Sequence, residues 1–453
     1  YVDETGASGA DRRSLGAAIA AARRAEPGLP AAVFAAIGSV LCRPSPGEAL
    51  LVARHFQQLT GPVVAKGLED RALYRANRLI ALNDVGARPD RFALSVASFH
   101  DFNRQRQRRH PHGMLAGSTH DSKRGEDARA LVVALSCFGD DWAEQVRRWR
   151  ALLRAAGAPE IDANDTWYFF QALLGAWPMA LGPDDALDGG TLMALRDRLE
   201  AATLKAVREA AVHTSWVAPN ADYEAAIRGL IATTLATDRD NPFLKSFRAF
   251  AARIGWAGAQ NALVATALKL TAPGVPDIYQ GAEFWEQSMV DPDNRRPVDF
   301  AARRETLAGL GGATVAELAA SWRDGRVKLA LTATLLRLRR RAPRLFAEGS
   351  YEPVAVTGPD RHRVCAFIRR LESQAVLVAV RLWPGRSDAV AASFALEDGA
   401  WFELLERRQW AGSRTLTAAE LLARLPVAVL TRIGDGREDA DMDLTWIKYP
   451  WPP

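Results

Sequence analysis

The sequence predicts a mixed fold: mostly helical, with strand–loop–helix units of the α/β-barrel kind and an antiparallel β module at the C-terminal end. Three observations predict it. Helical spacing of apolar residues dominates the first 255 positions. Two short apolar runs, at 114–118 and 276–281, each lead into a crowded polar loop. After about residue 348 the pattern changes to alternation, as in Val364, Ala366 and Ile368.

The elements follow in order. Ser14 can cap a helix carrying Leu15, Ile19 and Ala22, and Ser45-Pro-Gly-Glu48 reads as a capping box opening a second helix. A Gly-Pro step at 61–62 should end that helix. Met114-Leu-Ala-Gly-Ser118 can be a buried strand, followed by Thr119-His-Asp-Ser-Lys-Arg-Gly-Glu-Asp127 and a helix from Ala128 to Ser136. Trp142, Val146, Trp149 and Leu153 mark an amphipathic helix stopped by Gly157. Trp167, Tyr168 and Trp177 read as core of the helical region. A helical pattern over 256–270 leads to a strand starting at Pro276 and ending at Gly281. Glu372-Ser-Gln374 separates two alternating runs, and Trp401-Phe402, Trp410 and Leu425 to Leu430 supply further short strands.

Composition bounds the function. The 453 residues carry net charge +5 with 48% apolar content, as in a soluble globular chain of two to four domains. No apolar run approaches the ~20 residues of a membrane span. The start at Tyr1-Val-Asp-Glu4 is no secretory signal, and without an initiator Met the natural start is expected upstream. Cys42, Cys137 and Cys365 are too scattered for a disulfide framework, which predicts a cytoplasmic setting. Nucleic-acid binding is not expected: basic residues are interleaved with acids throughout, and the one cluster, Arg104 to Arg109, reads as a solvated helix face. The histidines lack metal-ligand spacing, so neither metal nor cofactor is expected.

Two loops could carry chemistry, because loops at the C-terminal ends of barrel strands build active sites. In His120-Asp121-Ser122-Lys123-Arg124 one reading is a helix cap with solvated cations. The other is a carboxylate beside an imidazole at a barrel mouth, suited to sugar hydroxyls and a cationic transition state. In Tyr279-Gln280-Gly281-Ala282-Glu283-Phe284-Trp285, running into Asp291-Pro-Asp-Asn-Arg-Arg-Pro297, one reading is a loop tied by Asp–Arg pairs. The other is substrate contact by Tyr279, Gln280 and Trp285, to which the resemblance given below adds Glu283. Lys205, Glu209 and His213 are spaced to share one helix face, most simply as a surface ion pair.

Thr119 to Asp127 resembles the last sequence block of the α-amylase superfamily of glycoside hydrolases, in which a His-Asp pair ends the seventh barrel strand. Pro273-Gly-Val-Pro-Asp-Ile-Tyr-Gln-Gly-Ala-Glu283 is similar to its eighth-strand region. Phe56 to Asp70, Tyr74 to Arg78, Leu82 to Gly86, Leu174 to Pro178, Lys205 to Trp216 and Val290 to Asp299 extend the likeness to the superfamily's trehalose-forming transglycosylases. The resemblance implies the last units of a (β/α)8 barrel, at 112–135 and 256–348. Helical insertions would fill 1–111 and 136–255, and a β-sandwich domain 349–453. It implies a maltooligosaccharide or glucan substrate whose reducing-end α-1,4 bond is rebuilt as an α,α-1,1 bond. Asp121 would be the transition-state stabiliser and His120 would bind the same sugar. Lys123 and Arg124 would line the acceptor site. Lys66, Glu69, Asp70 and Tyr74 belong to a second sugar-binding block. Lysine is scarce here, seven of 58 basic residues, so Lys66 and Lys123 stand out.

The superfamily's nucleophile and acid/base blocks, after the fourth and fifth strands, are not found. The resemblance therefore implies a missing N-terminal barrel portion as partner. Smaller departures are Ala211, where Lys is expected, and Gly125, where Ser is expected. The competing functions are a hydrolase of the same superfamily and a non-catalytic glucan-binding fragment.

Overall fold

The computed structural model describes residues 5–237, 240–385 and 389–432. Two compact units divide the chain at Tyr74 and Arg75. The first is helical: Gly9–Ala25, Ala31–Cys42 and Glu48–Val64, continued by a π-helical run Ala65–Ala72. Its boundaries differ from the sequence expectation. Ser8, not Ser14, caps the first helix, its hydroxyl accepting from Asp11 N at 3.2 Å. No capping box opens the third, because Gly47, at φ 94°, is its cap. The helix also runs through Pro62 instead of stopping there. Proline lacks the amide donor of a regular turn, and the chain beyond it widens into π geometry, with Ala65 N shared between the Gly61 and Pro62 carbonyls.

In the second unit, strand β1 (Met114–Ala116) pairs in parallel with β2 (Val275–Asp277), Met114 opposite Val275 and Ala116 opposite Asp277. Helix Glu126–Ala134 follows β1, and the long helix Pro242–Thr271 precedes β2 and packs on it. Because the strands are parallel, the loops that follow them leave from the same end. Helices Gly139–Ala155, Ala163–Ala176, Gly189–Ala210 and Ala221–Thr234 fill the interval. Trp149 is their fully buried centre, its ring 5.5 Å from those of Phe170 and Phe247.

The C-terminal module is an antiparallel sheet of β3 (Ser350–Pro353), β4 (Val364–Leu371), β5 (Gln374–Arg381), β7 (Ala400–Glu403), β8 (Arg408–Ala411) and β10 (Val427–Arg432), in the order β3-β4-β5-β10-β7-β8. β6 (Ser393–Leu396) and β9 (Arg414–Thr417) form a separate pair. The β4–β5 hairpin turns at the Glu372-Ser373 break, Glu372 taking φ 54°. Val364, Ala366 and Ile368 join Phe394, Trp401 and Leu416 in a core that packs the β6–β9 pair on one face of the sheet. The opposite face, with Phe367 and Val378, is also fully buried. Fully buried Arg369 ties this module to the helices, donating to the carbonyls of Ser350 (2.8 Å), Thr271 (3.2 Å) and Phe346 (3.1 Å). Residues 433–453, included in the expected 349–453 domain, lie outside the described residues.

Candidate functional site

The loop after β1 is a compact turn. Ser122 N donates to Thr119 O (3.1 Å), and the Ser122 hydroxyl accepts from Thr119 N (2.9 Å). The result pushes His120 and Asp121 outward, both exposed, with His120 Nε2 3.5 Å from Asp121 Oδ2. The residues after them turn inward. Lys123 and Arg124 are buried. Lys123 N donates to Asp84 Oδ1 at 3.1 Å, and the Arg124 guanidinium donates to the carbonyls of Ile80 and Asn83, the latter at 2.8 Å. Asp84 also accepts from Arg129 at 2.7 Å, so it anchors both the loop and the helix behind it.

The second loop grips the first. Asn294 Nδ2 donates to His120 O at 2.8 Å, and the Tyr279 hydroxyl donates to Asn294 O at 2.9 Å. Gln280 and Trp285 face a polar cavity of about 180 Å³ that Asn294, Arg296 and Arg303 also line. Glu283 pairs with Arg303 at 3.0 Å, and Trp285 Nε1 donates to Trp322 O at 2.8 Å. The expected Asp–Arg pairs are present: Asp293 with Arg198 (2.7 Å) and Arg296 (3.1 Å), and Asp291 with Arg295. Burial alone would raise Asp293, but the Arg198 guanidinium outweighs it and holds the carboxyl below its usual range.

Beneath both loops lies a buried charge cluster. Lys328 Nζ meets Asp127 Oδ2 at 2.7 Å and Glu126 Oε1 at 3.0 Å, and Lys269 Nζ meets Glu126 Oε2 at 2.8 Å. Burial opposes ionisation of Glu126, yet the two ammoniums prevail and hold it at about 2. Burial pushes Asp127 upward and the Lys328 ammonium pulls against it, while the two carboxylates in turn hold Lys328 above its usual range. Gly125 is tightly enclosed: a Cβ there would stand 1.7 Å from Glu286 Oε2 and 2.8 Å from Glu286 O.

The structure thus joins the loop of His120, Asp121, Lys123 and Arg124 to that of Tyr279, Gln280, Glu283 and Trp285 through Asn294, but Lys123 and Arg124 turn to a separate small cavity beside Tyr168 and Gln171. Lys66, Glu69, Asp70 and Tyr74 lie in the first unit, where Lys66 pairs with Asp70. Lys205, Glu209 and His213 do not share a helix face, because that helix ends at Ala210 and Ala211 turns left-handed at φ 50°. Lys205 donates to Asp291 O (2.8 Å), and Glu209 accepts from Trp216 Nε1 (2.9 Å). His213 faces Asp162 at 3.6 Å. Asp162, Asp165 and His213 are a group of metal-ligand type whose atoms lie within 4.8 Å of one another. One oxygen of each carboxylate is already engaged, Asp162 as a helix cap and Asp165 by the Tyr223 hydroxyl at 2.5 Å. Asp84 and Asn294 fall inside blocks that the sequence singles out, without a role of their own there, whereas Lys328 and Glu286 fall outside them. Only the lysine scarcity pointed towards Lys328.

No family model matches the chain. A protein of Mycobacterium tuberculosis provisionally named maltooligosyl trehalose synthase is 37% identical over 448 residues, 94% of this chain and 54% of that protein. The solved structure of maltooligosyltrehalose synthase from Arthrobacter ramosus superposes with TM-score 0.76 at 34% identity, over 92% of this chain and 51% of that one. A glycosyltrehalose synthase structure, DSM5389, gives TM-score 0.69 at 32% identity, over 86% and 46%. The chain therefore shares sequence and fold with one portion of enzymes named for trehalose synthesis. The first two of these carry the name maltooligosyltrehalose synthase, and the chain spans about half the length of the relatives it matches.

Proposed function

We propose that this chain is the portion of a maltooligosyltrehalose synthase that carries the transition-state carboxylate and the acceptor side of the sugar site. The observation that carries the reading is the exposed His120–Asp121 pair at the C-terminal end of β1, gripped through Asn294 by the loop after parallel β2. Asp121 would stabilise the developing oxocarbenium ion and His120 would hydrogen-bond the same ring. Lys123 and Arg124 would shape the acceptor site from below, Arg124 chiefly by fixing the Ile80–Asn83 turn. Gln280, Glu283 and Trp285, with Tyr279 behind them, would form its far wall. In the first unit, Lys66, Glu69, Asp70 and Tyr74 are proposed as glucan contacts on their sequence block alone.

β1 and β2 would be the seventh and eighth strands of a (β/α)8 barrel. A three-residue parallel pair that no other described strand joins is not a stable sheet by itself. Beside it opens an apolar groove of about 670 Å³, lined by Phe99, Phe102, Met114 and Val133, which suits further barrel elements. The nucleophile and acid/base carboxyl would then belong to the part of the relatives that this chain does not match. No described helix is long and apolar enough to cross a membrane. The free thiols Cys42, Cys137 and Cys365 support a reducing, cytoplasmic compartment.

The test is conversion of maltohexaose. The chain alone should give no product. Combined with the unmatched portion of the Arthrobacter ramosus enzyme, it should remove reducing ends without a matching release of glucose. Glucose release alone would make the assembly a hydrolase, and product from the isolated chain would show that its nucleophile lies within these residues.

A further inference from the structure

The His120–Asp121 loop and the loop after β2 must keep a fixed separation if they grip one sugar; backbone bonds such as Gly125 N to Ser288 O (2.8 Å) join them directly, and a side-chain charge cluster lies beneath both. Lys328, on helix Arg326–Arg341, is fully enclosed. Its ammonium lies 2.9 and 2.7 Å from the two Asp127 oxygens, 3.0 Å from Glu126 Oε1 and 3.4 Å from Phe284 O. Glu126 and Asp127 open the helix that ends the first loop, and Phe284 lies in the second. Asp127 Oδ2 also accepts from Glu286 N at 2.6 Å, so the carboxylate that the ammonium holds reaches the second loop as well. An ammonium has three donors, and here all have acceptors around them.

We propose that Lys328 is a positioning residue that holds the two loops in register. The inference rests on the reading of those loops as the glucan site. Stability is a poor reason for such a cluster, because exchanging a buried ion pair for neutral groups of similar shape is often harmless to folding. Geometry is a better one. Glu126 and Asp127 sit in the first turn of their helix, whose Gly125, Asp127 and Ala128 amides already donate to the Ser288 and Glu286 carbonyls of the second loop at 2.8, 3.2 and 3.3 Å, while their two side chains need a cation to fix them. Lys328 fixes both against a third element. A planar guanidinium would demand paired acceptors in one plane, whereas a compact ammonium serves acceptors converging from several sides. Two of the chain's seven lysines, Lys269 and Lys328, sit in this one cluster.

The experiment separates register from stability. Lys328→Met with Asp127→Asn removes one charge of each sign and keeps an acceptor for Glu286 N. Hydrogen exchange is followed at residues 119–128 and 284–290, relative to the amides of the β4–β5 hairpin. The expected result is a melting temperature within about 3 °C of the parent, with loop exchange at least about tenfold faster than in the parent and the hairpin unchanged. Lys328→Gln provides a second reading of the same ratio if the double variant folds poorly. A ratio unchanged in the variant that folds overturns the proposal. Maltohexaose titration into the same proteins is scored separately. If the parent chain does not bind it while the variant's loops loosen selectively, the glucan reading fails and the positioning role stands.

Discussion

Gly125 offers the sharpest test of how the two loops are fitted. Placing Ser there, the residue that the superfamily resemblance leads one to expect, puts a Cβ 1.7 Å from Glu286 Oε2 and 2.6 Å from its Cδ. The carboxylate must swing away and lose the 2.8 Å hydrogen bond that its Oε1 accepts from Ser288 N. A hydrogen bond to a charged group is worth about 1.5–3 kcal/mol. The backbone oxygen of Glu286, 2.8 Å from the new Cβ, moves less readily, because Asp127 N (3.2 Å) and Ala128 N (3.3 Å) both donate to it. Overpacking of this kind costs about 1–3 kcal/mol. Gly125→Ser should therefore destabilise the second unit by about 3 kcal/mol. Glu286→Ala removes the side-chain clash but not the carbonyl contact, so the double variant should recover about 2 kcal/mol relative to additivity. Urea unfolding of the four proteins, followed by tryptophan fluorescence, measures the cycle. A Gly125→Ser variant within about 0.5 kcal/mol of the parent would refute the packing argument, as would strict additivity.

Three further outcomes are expected. Asp121→Asn in the assembly proposed above should abolish nearly all turnover while leaving the melting temperature unchanged, since the exposed carboxylate faces an equally exposed His120 at 3.5 Å; normal turnover would remove its assigned role. Lys123→Ala in the same assembly should raise free glucose relative to trehalose-capped product, measured in one time course, and an unchanged ratio would show that the side chain only braces the loop. Glu403, fully enclosed in the C-terminal sheet, is pushed up by burial from 4.5 to about 7. The folded form thus holds its proton more tightly than the unfolded form, so stability falls as pH rises from about 4.5 to 7 and stays reduced above it. The loss is about 3 kcal/mol, and Glu403→Gln should flatten that part of the unfolding curve; a parallel curve would assign the proton elsewhere.

The sequence by itself determined the local patterns and the kinship. Alternation at Val364, Ala366 and Ile368 became β4, and the break at Glu372 became the turn into β5. The apolar stretch before Thr119 became β1, shorter than expected and exposed at Met114 and Ala116 where a buried strand was expected, and the polar block after it became an exposed His-Asp turn. These were legible because side-chain period and turn chemistry are properties of neighbouring residues. Where neighbours compete, local rules failed. Pro62 was absorbed by a widened helix, and Gly47 displaced the expected capping box.

Only the tertiary structure decided who holds whom. Lys328 meets Asp127 across 201 residues and Asn294 meets His120 across 174. Glu126 and Asp127, the natural local partners for Lys123, are taken instead by Lys269 and Lys328. Nothing in a run of residues encodes such pairings. They follow from the parallel register of β1 and β2, which brings two distant loops to one end and leaves the charges beneath them no solvent, so each must be matched by whichever opposite charge the packed helices deliver.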